Sequence, residues 1–459
     1  METAGALERE LLVWLEASLG AKITMAQRLV GGNRRRAWAV DLGMPSGEPI
    51  KIFLRFASQE QDASDPYDLR REAAIYQALA GSGVPIARVY ALHPSLQAVA
   101  LERVEGESSY RGVDDEDRKT RIAQDFMRAL DVLHKVDAGS LALPVARHAS
   151  IAEHVREELA IWRGMYGFTG RADPLIEFTF AWLGANVPQA PGVPVVVHGD
   201  AGPGNFMFTD DRVSALVDWE LWHLGDPVED LAWLSMRCTL EPFPAFAQRV
   251  REYEQRSGGP VDRARLLYHR ILVCLKVVII RHRALLDPSP DSNPGNSIIS
   301  RTLNRRLLTE VLLQAAGPVK APRDLPEPRP TAQDHEYTYL LDQLRDVIVP
   351  ALSDPVARYR AKGMARVVKY LQQVDRYAQP FALQEAQDLA DALGSDQPIV
   401  DVIEGRDALS AAIRDGQVQA RRVLVYLARQ SARDSLLGAP AVGALAARSF
   451  DSPDLPATP

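Results

Sequence analysis

The chain has 459 residues, 46% of them hydrophobic and 25% charged, a globular composition with length for two or three domains, which excludes disorder as its main state. Its 53 basic and 60 acidic residues leave a formal charge of -7; that argues against a protein built to grip nucleic acid or an anionic membrane, but leaves room for a local basic pocket. Two cysteines, Cys238 and Cys274, make neither a disulfide framework nor a four-ligand zinc site and are expected as buried fillers in a reducing compartment.

In chain order, Glu2, Glu8 and Glu10 stand where an export signal would need basic and then apolar residues, so a cytoplasmic location is expected. A short amphipathic helix over 7–19 precedes a strand over 24–30, a Gly31-Gly32-Asn33 turn and a strand over 37–42. The strand Ile50 to Phe56 alternates, with Ile50, Ile52 and Leu54 on one face and Lys51, Phe53 and Arg55 on the other. A helix over 68–80 buries Ala73, Ile75, Tyr76 and Leu79 and turns Glu72 toward a neighbouring element. Strands over 87–92 and 98–104 follow, ending at Glu105-Gly106.

Helices are then expected over 121–137, 151–165, 172–186, 227–237, 243–255 and 261–285, interrupted by two short apolar strands, Pro194 to His198 and Val213 to Asp218. The run Ile271 to Ile280 is ten residues long, contains Lys276 and is flanked by Arg270 and Arg281; it is too short and too charged to span a bilayer and reads as a core helix. Prolines at 318, 322, 326, 328 and 330 predict a stiff linker. Helical periodicity returns over 332–437, and the Ala/Pro/Ser-rich last twenty residues read as disordered. The resulting division is an N-terminal lobe over 1–105, a helical lobe over 106–316, a linker over 317–331, a helical appendage over 332–437 and a tail over 438–459.

The chemistry is concentrated in two stretches. An apolar strand delivers His198-Gly199-Asp200 to a Gly/Pro-rich loop, and Asn205 follows five residues after Asp200; a second strand delivers Asp218-Trp219-Glu220, followed by Gly225-Asp226-Pro227 and Asp230-Leu231-Ala232. One loop carboxylate can take a proton, while an amide oxygen and a second carboxylate can share a magnesium ion. Those are the parts phosphoryl transfer needs, in the order catalytic Asp, metal Asn, metal Asp. Asp226 and Asp230 read as a helix cap and a loop brace, and His198 as a bracing histidine.

These motifs closely resemble those of the aminoglycoside phosphotransferase-like (choline kinase-like) family of small-molecule kinases, in particular the kinase-like domains associated with acyl-CoA dehydrogenases. Gly31-Gly32, Leu54-Arg55, Arg71-Glu72, Leu101 to Gly106 and Leu133-His134 agree in order, so the resemblance covers about residues 5–315. It implies an α+β, two-lobed protein-kinase-like fold, with a small antiparallel-sheet lobe and a mainly helical lobe, followed by a small all-α domain. It also implies ATP and Mg2+, with Asp200 as catalytic base, Asn205 and Asp218 on magnesium and Gly31 and Gly32 over the phosphates. Glu72 would hold the phosphate-binding cation, and the strand reaching Glu102 and Val104 would hinge the lobes and contact adenine.

The cation itself departs from the usual lysine. Arg55 matches the Leu-Arg context, with Lys51 on the same face roughly 13 Å away, and Arg55 is preferred because a guanidinium can bind phosphate and carboxylate bidentately. Arg34, Arg35 and Arg36 suit either an anionic ligand or a solvated hairpin tip. From Asp218 to Asp226 there is no room for the activation segment of a protein kinase, and neither Gly-x-Ser-x-Gly nor His-Glu-x-x-His occurs. Two functions are therefore expected. The first is a kinase acting on a small-molecule hydroxyl, with a hydroxyacyl-CoA or hydroxy-acid acceptor suggested by the resemblance. The second is a catalytically weak nucleotide-binding regulator whose helical appendage binds a partner. The appendage is expected to be a bundle for docking or homodimerisation, with no nucleic-acid or membrane partner.

Overall fold

A computed structural model of the protein describes residues 2–29, 35–44, 47–57, 68–189, 191–286, 293–317, 319–320 and 324–454. The chain groups into two compact units, one of residues 1–155, 189–266 and 451–459, the other of 156–188 and 267–450.

The first unit contains α1 (Glu2–Leu19), β1 (Lys22–Arg28), β2 (Arg36–Gly43), β3 (Ile50–Phe56), α2 (Leu69–Ala78), β4 (Val89–Leu92) and β5 (Ala98–Glu102). Its sheet has the order β1-β2-β3-β5-β4, every pair antiparallel. β3 lies where the alternation predicts it: Ile52, Leu54 and Phe56 pack with Leu11 and Leu15 of α1, Val40, Leu42, Ala98 and Ala100. Each such side chain contributes about 1.5–3 kcal/mol by leaving water, and burying them leaves Arg55 on the opposite face. α2 starts where the Asp68 carboxylate accepts a hydrogen bond from Arg71 N, a cap that fixes the helix phase. With Ala73, Ile75 and Tyr76 buried in that phase, Glu72 is carried inward to 1% exposure. The Gly31-Gly32 turn and Arg34 lie outside the described residues.

The chain continues through α3 (Glu116–His134), α4 (Ile151–Gly167) and α5 (Pro174–Ala185), then β6 (Val195–Val197), β7 (Phe206–Thr209), β8 (Arg212–Leu216), β9 (His223–Gly225), α6 (Pro227–Leu240) and α7 (Phe246–Ser257). The two short strands foreseen here each pair with one that was not: β6 with β9 and β7 with β8, both antiparallel. Strands of three and four residues are too short to announce themselves by periodicity.

The second unit holds most of α8 (Arg263–Leu286), then α9 (Pro294–Ala316), α10 (Asp334–Gln343), a π-helical turn at Leu344–Ile348, α11 (Val349–Ala351), α12 (Pro355–Leu393), α13 (Val402–Arg414) and α14 (Ala420–Val442). α9 is absent from the helices expected by periodicity. Pro294 sits at the helix start behind the Asn293 cap, where no backbone N–H is needed. α9 packs on α12 and α14, so helices from before and after the proline-rich segment share one unit. The segment read as a disordered tail carries structure instead: α14 runs to Val442, Ala441 and Val442 are buried, and the Arg270 guanidinium lies over the Phe450 ring at 4.9 Å. Small residues there pack close rather than stay loose. No described helix is long and apolar enough to cross a membrane.

Candidate active site

The site lies within the first unit, where β6 ends at His198-Gly199-Asp200. Three bonds brace this loop from beneath: Asp230 of α6 accepts hydrogen bonds from His198 N at 2.9 Å and Gly199 N at 3.0 Å, and its carboxylate also meets His134 Nε2 at 3.0 Å. Gly199 has φ +80°, and a Cβ there would stand 2.2 Å from Leu221 O, so the turn accepts only glycine. His198 Nε2 faces Val217 O at 3.0 Å while Asp200 N donates to Nδ1 at 3.3 Å. Together these require the neutral Nε2–H tautomer, and burial holds the histidine's pKa down. His198 is thus a brace linking the Asp200 loop to the segment before Asp218. Asp226 caps α6 through Val228 N at 2.9 Å and takes both arms of Arg265.

Asp200 and Asn205 meet directly: Asn205 Nδ2 donates to Asp200 O at 2.8 Å and to Oδ2 at 2.7 Å. Using the Nδ2 amide this way leaves the Asn205 carbonyl oxygen, a hard donor, for a cation. Arg237 of α6 closes on the same carboxylate as a fork, Nε to Oδ1 at 2.9 Å and Nη2 to Oδ2 at 2.7 Å. Burial, only partly offset by Arg237, pushes the Asp200 pKa up to about 6.

Asp218 stands beside this pair, since Val217 N donates to Asn205 O at 3.0 Å. Its backbone is left-handed, φ 65° and ψ 57°. Burial would raise its pKa, but the Arg55 guanidinium overrides that and holds it below the usual carboxylate range.

Arg55 meets three carboxylates, Glu72 Oε1 at 2.6 Å, Asp218 Oδ1 at 2.7 Å and Glu220 Oε2 at 3.1 Å. Lys51 instead pairs with the exposed Glu105 at 2.6 Å. Arg35, 7% exposed, brings a second guanidinium, its Nε 3.7 Å from Glu220 Oε2; even so, desolvation wins at Glu72 and raises its pKa to about 7, Arg55 and Arg35 opposing, and Glu72 Oε2 is buried without a hydrogen-bond partner among the described residues. α2 is latched to this group by Arg71, whose guanidinium lies 4.7 Å over the Trp222 ring while Trp222 Nε1 donates to Arg71 O at 2.9 Å.

The structure therefore brings Arg55, Glu72, Asp200, Asn205 and Asp218 into one neighbourhood. Glu102 and Val104 lie at the end of β5, where Arg88 N donates to Glu102 Oε2 at 3.2 Å, and Gly31 and Gly32 fall outside the described residues. Glu220 and Arg237 are additions. Glu220 follows Asp218 by two residues and could have been suspected; Arg237 lies 37 residues from Asp200 and carries no local signal. Asn205 and Asp218 supply adjacent hard oxygens suited to magnesium, and Glu72 Oε2 is left without a hydrogen bond among the described residues.

A model of the phosphotransferase enzyme family matches residues 26–267. Acyl-CoA dehydrogenase family member 11 of Rattus norvegicus is 28% identical over 182 residues, 37% of this chain and 23% of that protein. Acyl-CoA dehydrogenase family member 10 of Mus musculus is 27% identical over 177 residues, 36% of this chain and 16% of that protein. The match thus spans under a quarter of the length of these curated relatives. Among solved structures, aminoglycoside phosphotransferase APH(4)-Ia in complex with ADP and hygromycin B is 17% identical with a TM-score of 0.50, covering 67% of this chain and 99% of that one. A Ralstonia eutropha structure named after the aminoglycoside phosphotransferases is 21% identical with a TM-score of 0.52, covering 67% and 98%. These structural likenesses, covering two thirds of the chain, give it a protein-kinase-like fold.

Proposed function

Because the chain belongs to the phosphotransferase enzyme family, we propose that it is an ATP- and magnesium-dependent kinase that phosphorylates a hydroxyl of a small molecule, with a hydroxyacyl-CoA or hydroxy-acid derivative as acceptor. The observation that carries this reading is the joined set of Asp200, Asn205 and Asp218, held on a loop braced by Asp230. Bound ATP and magnesium would supply the γ-phosphoryl group and neutralise its developing charge. Asp200 accepts the proton of the acceptor hydroxyl as the acceptor oxygen bonds to phosphorus and the bond to the leaving ADP breaks. Asn205 and Asp218 would hold the metal and Glu72 would keep Arg55 directed at the phosphates, with Gly31 and Gly32 proposed over the phosphates and Glu102 and Val104 beside the adenine.

Relatives named as acyl-CoA dehydrogenases support an acyl-CoA-type acceptor. A cytoplasmic home, no nucleic-acid or membrane partner, and self-association through the C-terminal helices complete the proposal. The second reading, a weakly catalytic nucleotide sensor, is favoured by one feature: Arg55 is fully engaged by three carboxylates. An ATP-consumption screen of the full chain against hydroxyacyl-CoA esters, hydroxy acids, amino alcohols, sugars and aminoglycosides separates the two. Phosphorylated product by mass spectrometry from a hydroxyacyl-CoA or hydroxy acid supports the kinase. Nucleotide-dependent thermal stabilisation with no turnover on any pool supports the sensor.

A further inference from the structure

Asp200 has four lone-pair positions on its two carboxylate oxygens. Oδ2 accepts from Asn205 Nδ2 and Arg237 Nη2, and Oδ1 accepts from Arg237 Nε. Within the protein's own contacts this leaves one acceptor position open, on Oδ1. The Asp200 side chain is 20% exposed and that of Arg237 21%, so solvent reaches the pair while the guanidinium is held in place.

The loop is also shaped around the arginine. Gly202 has φ +145°, and a Cβ there would stand 2.8 Å from Arg237 Cβ, 2.9 Å from its Cγ and 3.4 Å from Leu234 Cα. The missing side chain lets the loop rest on α6 at the point from which Arg237 emerges. With its stem pressed against the loop, the guanidinium plane has one direction to take, along the Asp200 carboxylate. A lysine, a point charge on a flexible stem, could reach the carboxylate but could not lock its plane.

From this geometry we infer that Arg237 is the positioning residue of the phosphotransfer site: its two-armed grip fixes the Asp200 carboxylate so that Oδ1 alone receives the acceptor hydroxyl. The inference rests on the kinase reading above. Arg237 touches neither phosphate nor acceptor in it and acts through Asp200. A base held in one orientation keeps the proton, the attacking oxygen and phosphorus in line, and misplacement of a reacting group by about 1 Å costs on the order of 10²-fold in rate.

The test is a double-mutant cycle on the full-length protein, reading ADP release with ATP and magnesium in the presence of 3-hydroxybutyryl-CoA. Arg237→Met is expected to lower kcat by about 10²-fold, with KM for ATP within about twofold of wild type. Arg237→Lys should fall between the two, since it restores the charge without the fork. In an Asp200→Asn background Arg237→Met should change the residual rate by less than about twofold, because the group it acts through is already gone. Nucleotide-dependent thermal stabilisation should persist in every variant, which separates lost positioning from lost folding. An unchanged kcat in Arg237→Met, a rise confined to KM, an equal loss in the Asp200→Asn background, or Lys performing as well as Arg would each overturn the inference. If Arg237→Met does not fold, the Arg237→Lys cycle decides by the same criteria. Wild-type turnover that survives Asp200→Asn, or no wild-type turnover with this ester or with any of the acceptor pools above, would instead bring down the kinase reading and this inference with it.

Discussion

Two buried glutamates, each facing an arginine, behave in opposite ways. In the first unit Glu72 takes a single bond from Arg55, whose remaining reach is divided with Asp218 and Glu220, and its carboxyl is pushed up to about 7. In the second unit Glu385 takes both arms of Arg406 at 2.7 Å and the Tyr426 hydroxyl at 3.0 Å. Burial would raise Glu385 too, but those bonds hold it below its ordinary value. Nearby, Asp388 is shared between Arg429 at 2.8 Å and Arg433 at 2.5 Å. A saturated network is architecture, because each anion is answered where it stands. A network with an unbonded carboxylate oxygen has room for a ligand, the asymmetry expected if the proposed chemistry sits in the first unit.

The strongest challenge to the comparison removes the carboxylate at the unsaturated site. Asp200→Asn is expected to cut kcat by about 10²–10⁴-fold, measured as ADP release, with the nucleotide-dependent shift in melting temperature retained. The matching blow to the saturated network is Arg433→Met. Arg433 is 3% exposed and its partner Asp388 1%, so the change removes one of the two cations on a buried carboxylate that keeps Arg429 and should cost about 1.5–3 kcal/mol in urea unfolding. Asp388→Leu should cost more than Arg433→Met, because it takes the carboxylate from both Arg429 and Arg433.

Protonation sharpens the contrast further. With Asp200 titrating near 6 and required as a base, kcat/KM should fall about tenfold per pH unit below that value, read from a pH profile at saturating magnesium. The smallest effect is on stability. Glu72 ionises near 4.5 in the unfolded chain and near 7 in the fold. Between those values the folded protein keeps a proton that the unfolded chain has released, so its stability declines as pH rises through that window. Glu72→Gln cannot ionise, and without nucleotide its melting temperature should gain on wild type from about pH 5 to pH 7. Glu385→Gln should do the reverse. Its native carboxylate stabilises above the ordinary glutamate pKa and stops doing so as pH falls through its depressed one, so the mutant's deficit should be largest at neutral pH and fade in acid.

Much of the fold was legible because it rests on local rules. The alternation of Ile50 to Phe56, the helix beginning near Asp68 and the carboxylate cap at Asp226 are written in adjacent residues, and the structure repeats them. What stayed hidden depends on distant approach. α9 starts at a proline, and β7 and β9 were too brief to show a period. Arg237 reads as an ordinary cation in the last turn of α6; only the close passage of Gly202 over that helix reveals its partner. Asp200, Asn205 and Asp218 were legible as a group because phosphoryl chemistry imposes spacing along the chain, whereas the Arg55 cluster with Glu220 is set by packing across the sheet and α2.

The left-handed backbone of Asp218 determines how its role can be questioned. Among the described non-glycine residues only Asp210 and Asp218 have positive φ, a conformation that L-residues adopt at a cost of roughly 1–2 kcal/mol. Alanine at 218 would change two things together, removing the carboxylate and substituting a residue poorly suited to that turn. Asparagine tolerates the conformation nearly as well as aspartate, and glycine tolerates it better than either. A three-way series of Asn, Gly and Ala at this position therefore separates charge from shape: a defect common to all three belongs to the lost anion, and any excess in Ala alone belongs to the chain path.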